Sequence, residues 1–331
     1  MVEIVLWALG IGIGAIAIVE LLLRVRYGLG NPPLYVADTR TGYRLAPNQS
    51  LRRRGHRIEI NQYSMRGPAV DPQRPTDALR VLMVGDSIVN GGWWTDQSQL
   101  LSVKVQKELA NLHPSGVQTV EVLNASANSW GPRNELGYLL RFGTFEAQLV
   151  LVVLNTDDLF AIAPNSYELG RNPAYPTRRP PLALWEVAQR RLGNSPSPAL
   201  QALHDQGGDR VGVNLEALRQ LNQVVLAAGG RLAIAMTPLR RELDPDGPRD
   251  YELVARHRLT AFAQSENIPY LDGLPLFQQT AHERLYFDHI HLSPEGNDWV
   301  SQALAKLLIE IWNRPSESSP PSTSEPLSDL W

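Results

Sequence analysis

Four short polar clusters carry the residue types that could do chemistry. They are Gly85-Asp86-Ser87-Ile88, Asn124-Ala125-Ser126-Ala127-Asn128-Ser129, Asn155-Thr156-Asp157-Asp158 and Asp288-His289-Ile290-His291. Acyl transfer by a nucleophile needs a hydroxyl, a histidine to take its proton and a carboxylate to orient the imidazole. Ser87, His291 and Asp288 are the candidates for these three roles. Each also has an ordinary structural use. A serine after a strand commonly caps a helix, and an aspartate such as Asp86 commonly holds a turn. Asp288, His289 and His291 are metal-ligand types, but no other histidine stands in a ligand-spaced pair, so no metal centre is read. The chain has no cysteine, which excludes disulfides, thiolate zinc sites and a cysteine nucleophile. No cofactor is implied.

The elements that must position these clusters follow from the hydrophobic pattern. Short apolar runs predict strands over 79–84, 119–123, 147–154, 231–236 and 268–271. Apolar residues at helical spacing predict helices over 99–112, 132–142, 213–228, 251–264 and 294–312, the last with Ser293 as N-cap and Pro294 at its first position. Strands that alternate with helices form a parallel sheet covered on both faces. The expected fold is therefore α/β, a three-layer α/β/α sandwich with about five parallel strands. Ligands in such sheets bind beyond the carboxyl ends of the strands, where the polar clusters lie. Residues 160–209 interrupt the rhythm with Pro and Arg, and read as an insertion with one helix near 182–192.

On these motifs the chain resembles the SGNH, or GDSL-type, hydrolase family of serine esterases and lipases. The family's Gly-Asp-Ser stands as Gly85-Asp86-Ser87, and its Asp-x-x-His as Asp288-His289-Ile290-His291. The resemblance implies Ser87 as nucleophile, His291 as base and Asp288 as its partner, acting on a carboxylic ester. It also implies two further oxyanion donors, a Gly after the second strand and an Asn after the third. Here Ser129 stands at the Gly position, and its backbone N–H is still available. Asp157 stands at the Asn position, and an ionised carboxylate repels an oxyanion that an amide would stabilise; Asn155 and Asn128 are the nearby amides that could replace it. The alternative to an enzyme is a family-like module that binds a glycan or protein in the same cleft.

The ends differ from the body. Ile4 to Leu23 is apolar except for Glu20, and is about long enough to cross a hydrocarbon core. Arg24 stands one turn on, where it can pair with Glu20. No basic residue precedes the run, and no small-x-small cleavage site follows it, which favours a retained single-pass anchor over a signal peptide. Arg24 and Arg26 on the far flank place the body in the cytoplasm by the positive-inside rule. The expected organisation is an anchor over 1–27, a polar connector over 28–78, the hydrolase-like domain over 79–312 and a disordered Pro/Ser-rich tail over 313–331. The 31 basic and 34 acidic residues give a net charge of −3, which argues against nucleic acid as a partner. The expected substrates are small-molecule, lipid or glycan esters. Trp93 and Trp94 follow a Gly-Gly turn near Ser87 and are candidates for a pocket wall. Arg52, Arg53, Arg54 and Arg57 read as a solvated charge run with anionic headgroups as the alternative.

Overall fold

The structure is a computed structural model that describes residues 1–193, 195–280 and 282–314. Most of the tail expected over 313–331 lies outside the described residues. The chain opens with α1 (Val2–Tyr27), followed by two antiparallel hairpins, β1 (Tyr35–Asp38) with β2 (Gly42–Leu45), and β3 (Gln49–Arg53) with β4 (His56–Ile60). The body then runs β5 (Ala78–Gly85), α2 (Ser87–Asn90), α3 (Leu101–Asn111), β6 (Thr119–Ser126), α4 (Pro132–Phe142) and β7 (Leu149–Asn155). It continues with α5 (Ala183–Leu192), α6 (Pro198–Asp205), α7 (Arg210–Ala227), β8 (Arg231–Thr237), α8 (Asp250–Ser265), β9 (Tyr270–Asp272), α9 (Gly273–Gln278) and α10 (Pro294–Asn313).

Five strands form one parallel sheet in the order β6-β5-β7-β8-β9. Successive side chains of a strand point to opposite faces, and the central strands are apolar on both. Leu82, Val84, Val150, Val152, Ile234 and Met236 enter one core, under α4, α7 and α8. Val81, Met83, Leu151, Val153 and Ala235 enter the other, against α3 and α10. This is the three-layer α/β/α arrangement that the alternating pattern requires.

The segment read as a polar connector is folded. Tyr35, Leu45, Leu51, Ile58 and Ile60 from the two hairpins, with Met65 just after them, join the same core as Leu82 and Val84. In β3 and β4 the buried residues alternate with Ser50, Arg52, Arg57 and Glu59, so each of these strands buries one face while its composition stays polar. The insertion holds a second helix, α6, besides the expected one. It starts at Ser197, whose Oγ accepts the Leu200 N–H at 3.1 Å, with Pro198 in the first position. Pro and Ser in that order open a helix as readily as they mark a loop.

α1 is long and apolar enough to cross a membrane by length and composition, a property that signal sequences share. The expected pair forms at its end, with Arg24 Nε 2.6 Å from Glu20 Oε1.

Candidate active site

The site lies where β5 and β7 end. Gly85 closes β5 at a point where a Cβ would sit 2.6 Å from Val89 Cγ2 and 2.7 Å from the Val153 carbonyl, so the chain can turn there only without a side chain. Asp86 then caps α2, its Oδ1 accepting the Ile88 N–H at 2.8 Å. The turn leaves Ser87 as the first residue of α2, 9% exposed at the floor of the cleft.

His291 comes from the loop before α10. Asp288 Oδ1 accepts the N–H groups of Ile290 at 2.9 Å and His291 at 2.8 Å, which folds Asp288 to His291 into a tight turn. Within it, Asp288 Oδ2 lies 2.7 Å from His291 Nδ1, and His291 Nε2 lies 2.8 Å from Ser87 Oγ. An ionised carboxylate can only accept, so Nδ1 carries the imidazole hydrogen and the lone pair at Nε2 faces the serine hydroxyl. Partial burial works against ionisation of Asp288, but the His291 ring, the two backbone N–H groups and the charge of His291 hold its carboxyl below the usual range. The Trp94 ring packs 4.5 Å from the imidazole, and Phe287 stacks on Trp94. His289, two residues away, points to solvent and takes no part in this chain of bonds.

Asn155, 1% exposed, is the N-cap of the 3-10 turn over residues 156–160 and accepts the Asp157 N–H at 2.8 Å. Its amide nitrogen donates to Asp86 Oδ2 at 2.9 Å and to Asp158 Oδ2 at 2.8 Å. Both amide hydrogens are thereby used, so Asn155 ties β7 to the Gly85-Asp86-Ser87 turn and has none left to donate into the cleft. Asp157 instead stands exposed on the cleft wall. Partial burial raises its pKa; Arg241 and His289 oppose that shift, and Glu252 and Glu242 reinforce it.

Ser129 also lines the cleft. Its φ of 59° is the left-handed conformation that favours glycine. A serine holds this conformation at a strain of about 1 kcal/mol. Its Oγ lies 2.7 Å from the Tyr175 hydroxyl, and Tyr43 donates to the neighbouring Asn128 carbonyl at 2.6 Å. Asn128 lines the same cleft.

Sequence reasoning missed two contributors, Tyr175 and Glu135, and named Asp158 in the third polar cluster without its hydrogen-bond partners. Tyr175 comes from the insertion and closes the wall opposite Ser129. Asp158 accepts both the backbone and the side-chain N–H of Asn155. Glu135, on α4, is fully buried, and both of its oxygens lack a partner among the described residues. Burial pushes Asp86, Asp158 and Glu135 above the usual carboxylate range, and the negative charge of Asp86 pushes the other two further. Only a helix-facing acid in an apolar pattern could have signalled Glu135. The cleft lined by Ser87, Ser129, Asp157, Tyr175 and His291 has a volume of about 650 Å³, and Glu168, Asn172 and Leu200 of the insertion also line it.

A Gly-Asp-Ser turn after the first sheet strand, an Asp-x-x-His turn before the last helix and a parallel sheet in the order β6-β5-β7-β8-β9 make an α/β/α sandwich of the SGNH type. Residues 83–299 match the GDSL-like lipase/acylhydrolase family, and the chain belongs to that family. No curated protein matches the sequence. Similar solved structures include LAE5, an alpha/beta hydrolase enzyme from the metagenome of Lake Arreo, at 13% identity, covering 71% of this chain and 96% of that one with a TM-score of 0.47. Axe2, an acetylxylan esterase from Geobacillus stearothermophilus, is 15% identical over 71% of this chain and 94% of its own, with a TM-score of 0.45. The lipase/acylhydrolase from Enterococcus faecalis is 15% identical over 70% and 96%, with a TM-score of 0.43.

Proposed function

We propose that the chain is a serine hydrolase that cleaves an acyl group from a carboxylic ester. The observation that carries this reading is the continuous relay from Ser87 Oγ to His291 Nε2 at 2.8 Å and from His291 Nδ1 to Asp288 Oδ2 at 2.7 Å. Ser87 Oγ attacks the acyl carbon as its proton passes to Nε2. The C–O bond to the alcohol then breaks, and Nε2 returns the proton to the leaving oxygen. Water repeats the sequence on the acyl-enzyme and releases the acid; a sugar hydroxyl in place of that water would make the same site an acyltransferase. Asp288 holds the imidazole in one tautomer and stabilises the imidazolium.

The hydroxyl has a second acceptor, Asp86 Oδ2 at 3.1 Å. The shorter contact to Nε2 and the raised pKa of buried Asp86 both direct its hydrogen to the histidine. For the oxyanion, the N–H groups of Ser87 and Ser129 are the donors in this reading, and Asp157 adds another when protonated. Asn155 serves as a positioning residue through Asp86 and Asp158. No step requires a cofactor or metal.

In the same reading, α1 is a retained anchor. Arg24 and Arg26 follow the apolar run, which supports a body on the cytoplasmic side. The test is hydrolysis of p-nitrophenyl acetate by the full chain. Ser87→Ala and His291→Ala should each abolish it, and the double variant should be little worse than either single one, because the residues act as one unit. Full activity in Ser87→Ala would end this reading.

A further inference from the structure

α1 does not leave the body as a free stalk. The Glu20 carboxylate accepts the N–H groups of Ala183 at 2.8 Å and Leu184 at 3.0 Å, the open donors at the start of α5. Arg24, paired with Glu20, also donates to the Pro181 carbonyl at 2.7 Å. One turn into α5, Glu186 accepts the Gly30 N–H at 2.7 Å and pairs with buried Arg53 at 2.5 Å. The start of α5 is therefore held at the level of Glu20. The apolar residues before Glu20, Ile4 to Val19, span about 24 Å at the helical rise, most of a hydrocarbon core. Glu20 then marks the depth at which hydrocarbon gives way to headgroups, and α5 begins at that depth.

The outward side of α5 suits this position. Leu182, Trp185, Gln189 and Leu192 follow at intervals of three, four and three, which puts them on one stripe. Leu182 and Trp185 are each 50% exposed and Leu192 is 82% exposed, while Ala183 and Glu186 face the body. Around this stripe stand Arg178, Arg179 and Arg191, with Arg26 and Arg52 beside the end of α1. All five are exposed, and among the described residues none of them forms an ion pair with a carboxylate. Exposed Trp and Leu on one helical stripe, rimmed by arginines, is the composition of a helix that lies in a membrane interface.

We propose that α5 lies in the interfacial layer of the bilayer that α1 crosses. Leu182, Trp185 and Leu192 face the acyl boundary, and the five arginines meet the phosphates of anionic lipid headgroups. This rests on the reading of α1 as a retained anchor. It also sets the active site close to the membrane. The Arg54 N–H donates to the Tyr27 carbonyl at the end of α1, the Arg54 guanidinium lies 4.7 Å from the Trp93 ring, and Trp93 packs on Trp94, which packs on His291. Substrate presented at headgroup level is thus within three side-chain contacts of the catalytic histidine.

The absence of cysteine makes the test direct, because a single introduced cysteine carries a single nitroxide label. The full chain is placed in nanodiscs of phosphatidylcholine with phosphatidylglycerol, and each label is probed with oxygen and with a water-soluble nickel chelate. Labels at Ile13→Cys, in mid-helix, and at Trp185→Cys should collide several-fold more with oxygen relative to nickel than a label at Leu226→Cys, an exposed apolar residue of α7. Leu182→Cys reports the same face from an independent position if Trp185→Cys disturbs α5. In nanodiscs of phosphatidylcholine alone, the α5 labels should move toward the Leu226 value, since each arginine contributes about fivefold to partition on an anionic surface. An embedded Ile13 label with aqueous labels at both 182 and 185 overturns the proposal and leaves the anchor standing. An aqueous Ile13 label overturns the anchor and the proposal together.

Discussion

Replacing Asp157 by Asn puts an amide where a carboxylate now stands on the cleft wall, and its effect can be worked from the site. Asp157 stands on the turn that Asn155 caps, and the Asn155 amide hydrogens are already committed to Asp86 and Asp158. An amide at 157 would therefore be a new donor. A hydrogen bond to a charged acceptor contributes about 1.5–3 kcal/mol, and a fully enclosed oxyanion donor about 2.7–4 kcal/mol. Asp157 is exposed, so the lower figure applies, and about 1.5 kcal/mol corresponds to roughly tenfold in kcat. The gain depends on pH. Partial burial raises the Asp157 pKa, so its carboxyl keeps a donating proton at low pH and loses it as pH rises through the raised value. The advantage of Asp157→Asn should be small at acid pH and reach its full size above that pKa. The assay is kcat and KM for p-nitrophenyl acetate, measured on full-length wild type and variant from about pH 5 to about pH 9, a span wide enough to bracket a raised carboxylate. A variant slower than wild type at every pH would refute the reasoning and show that the carboxylate itself is used.

Asn155→Ala removes the donor shared by two buried carboxylates together with a cap. Two charge-assisted bonds and one cap suggest a loss of about 3–5 kcal/mol in urea unfolding, and a loss below about 1 kcal/mol would contradict the positioning role. Glu135→Gln should flatten the fall of stability with pH. Burial raises the Glu135 pKa, so the native state binds more protons than the unfolded chain between the ordinary glutamate value and the raised one, and wild-type stability declines as pH climbs through that window. The Tm of the variant minus that of wild type should therefore grow from about pH 5 to about pH 8, and a constant difference would show that Glu135 does not titrate in this way.

How much of this was legible in the sequence depends on how local each signal is. The central strands announce themselves because they are buried on both faces, so that Leu149 to Leu154 is one unbroken apolar run. Ser87, Asp288 and His291 were found because each sits in a short motif with its own turn chemistry. The hairpins over 35–60 were hidden. Leu51, Ile58 and Ile60 alternate with charged residues, and the partner they bury against is far away in sequence. The direction of the Asn155 side chain was equally hidden, since it is set by Asp86, which lies 69 residues earlier. The left-handed φ of Ser129 was also hidden, since a serine gives no local signal of that conformation.

The central claim is that Ser87 is an activated nucleophile, and covalent labelling tests it most directly. The full-length protein is treated with a fluorophosphonate, and the adduct is mapped by peptide mass spectrometry. The account predicts one adduct, on Ser87, that disappears in Ser87→Ala and forms far more slowly in His291→Ala, where no base remains to take the hydroxyl proton. A folded protein that hydrolyses esters yet carries no adduct on Ser87, or carries it on another residue, would contradict the account.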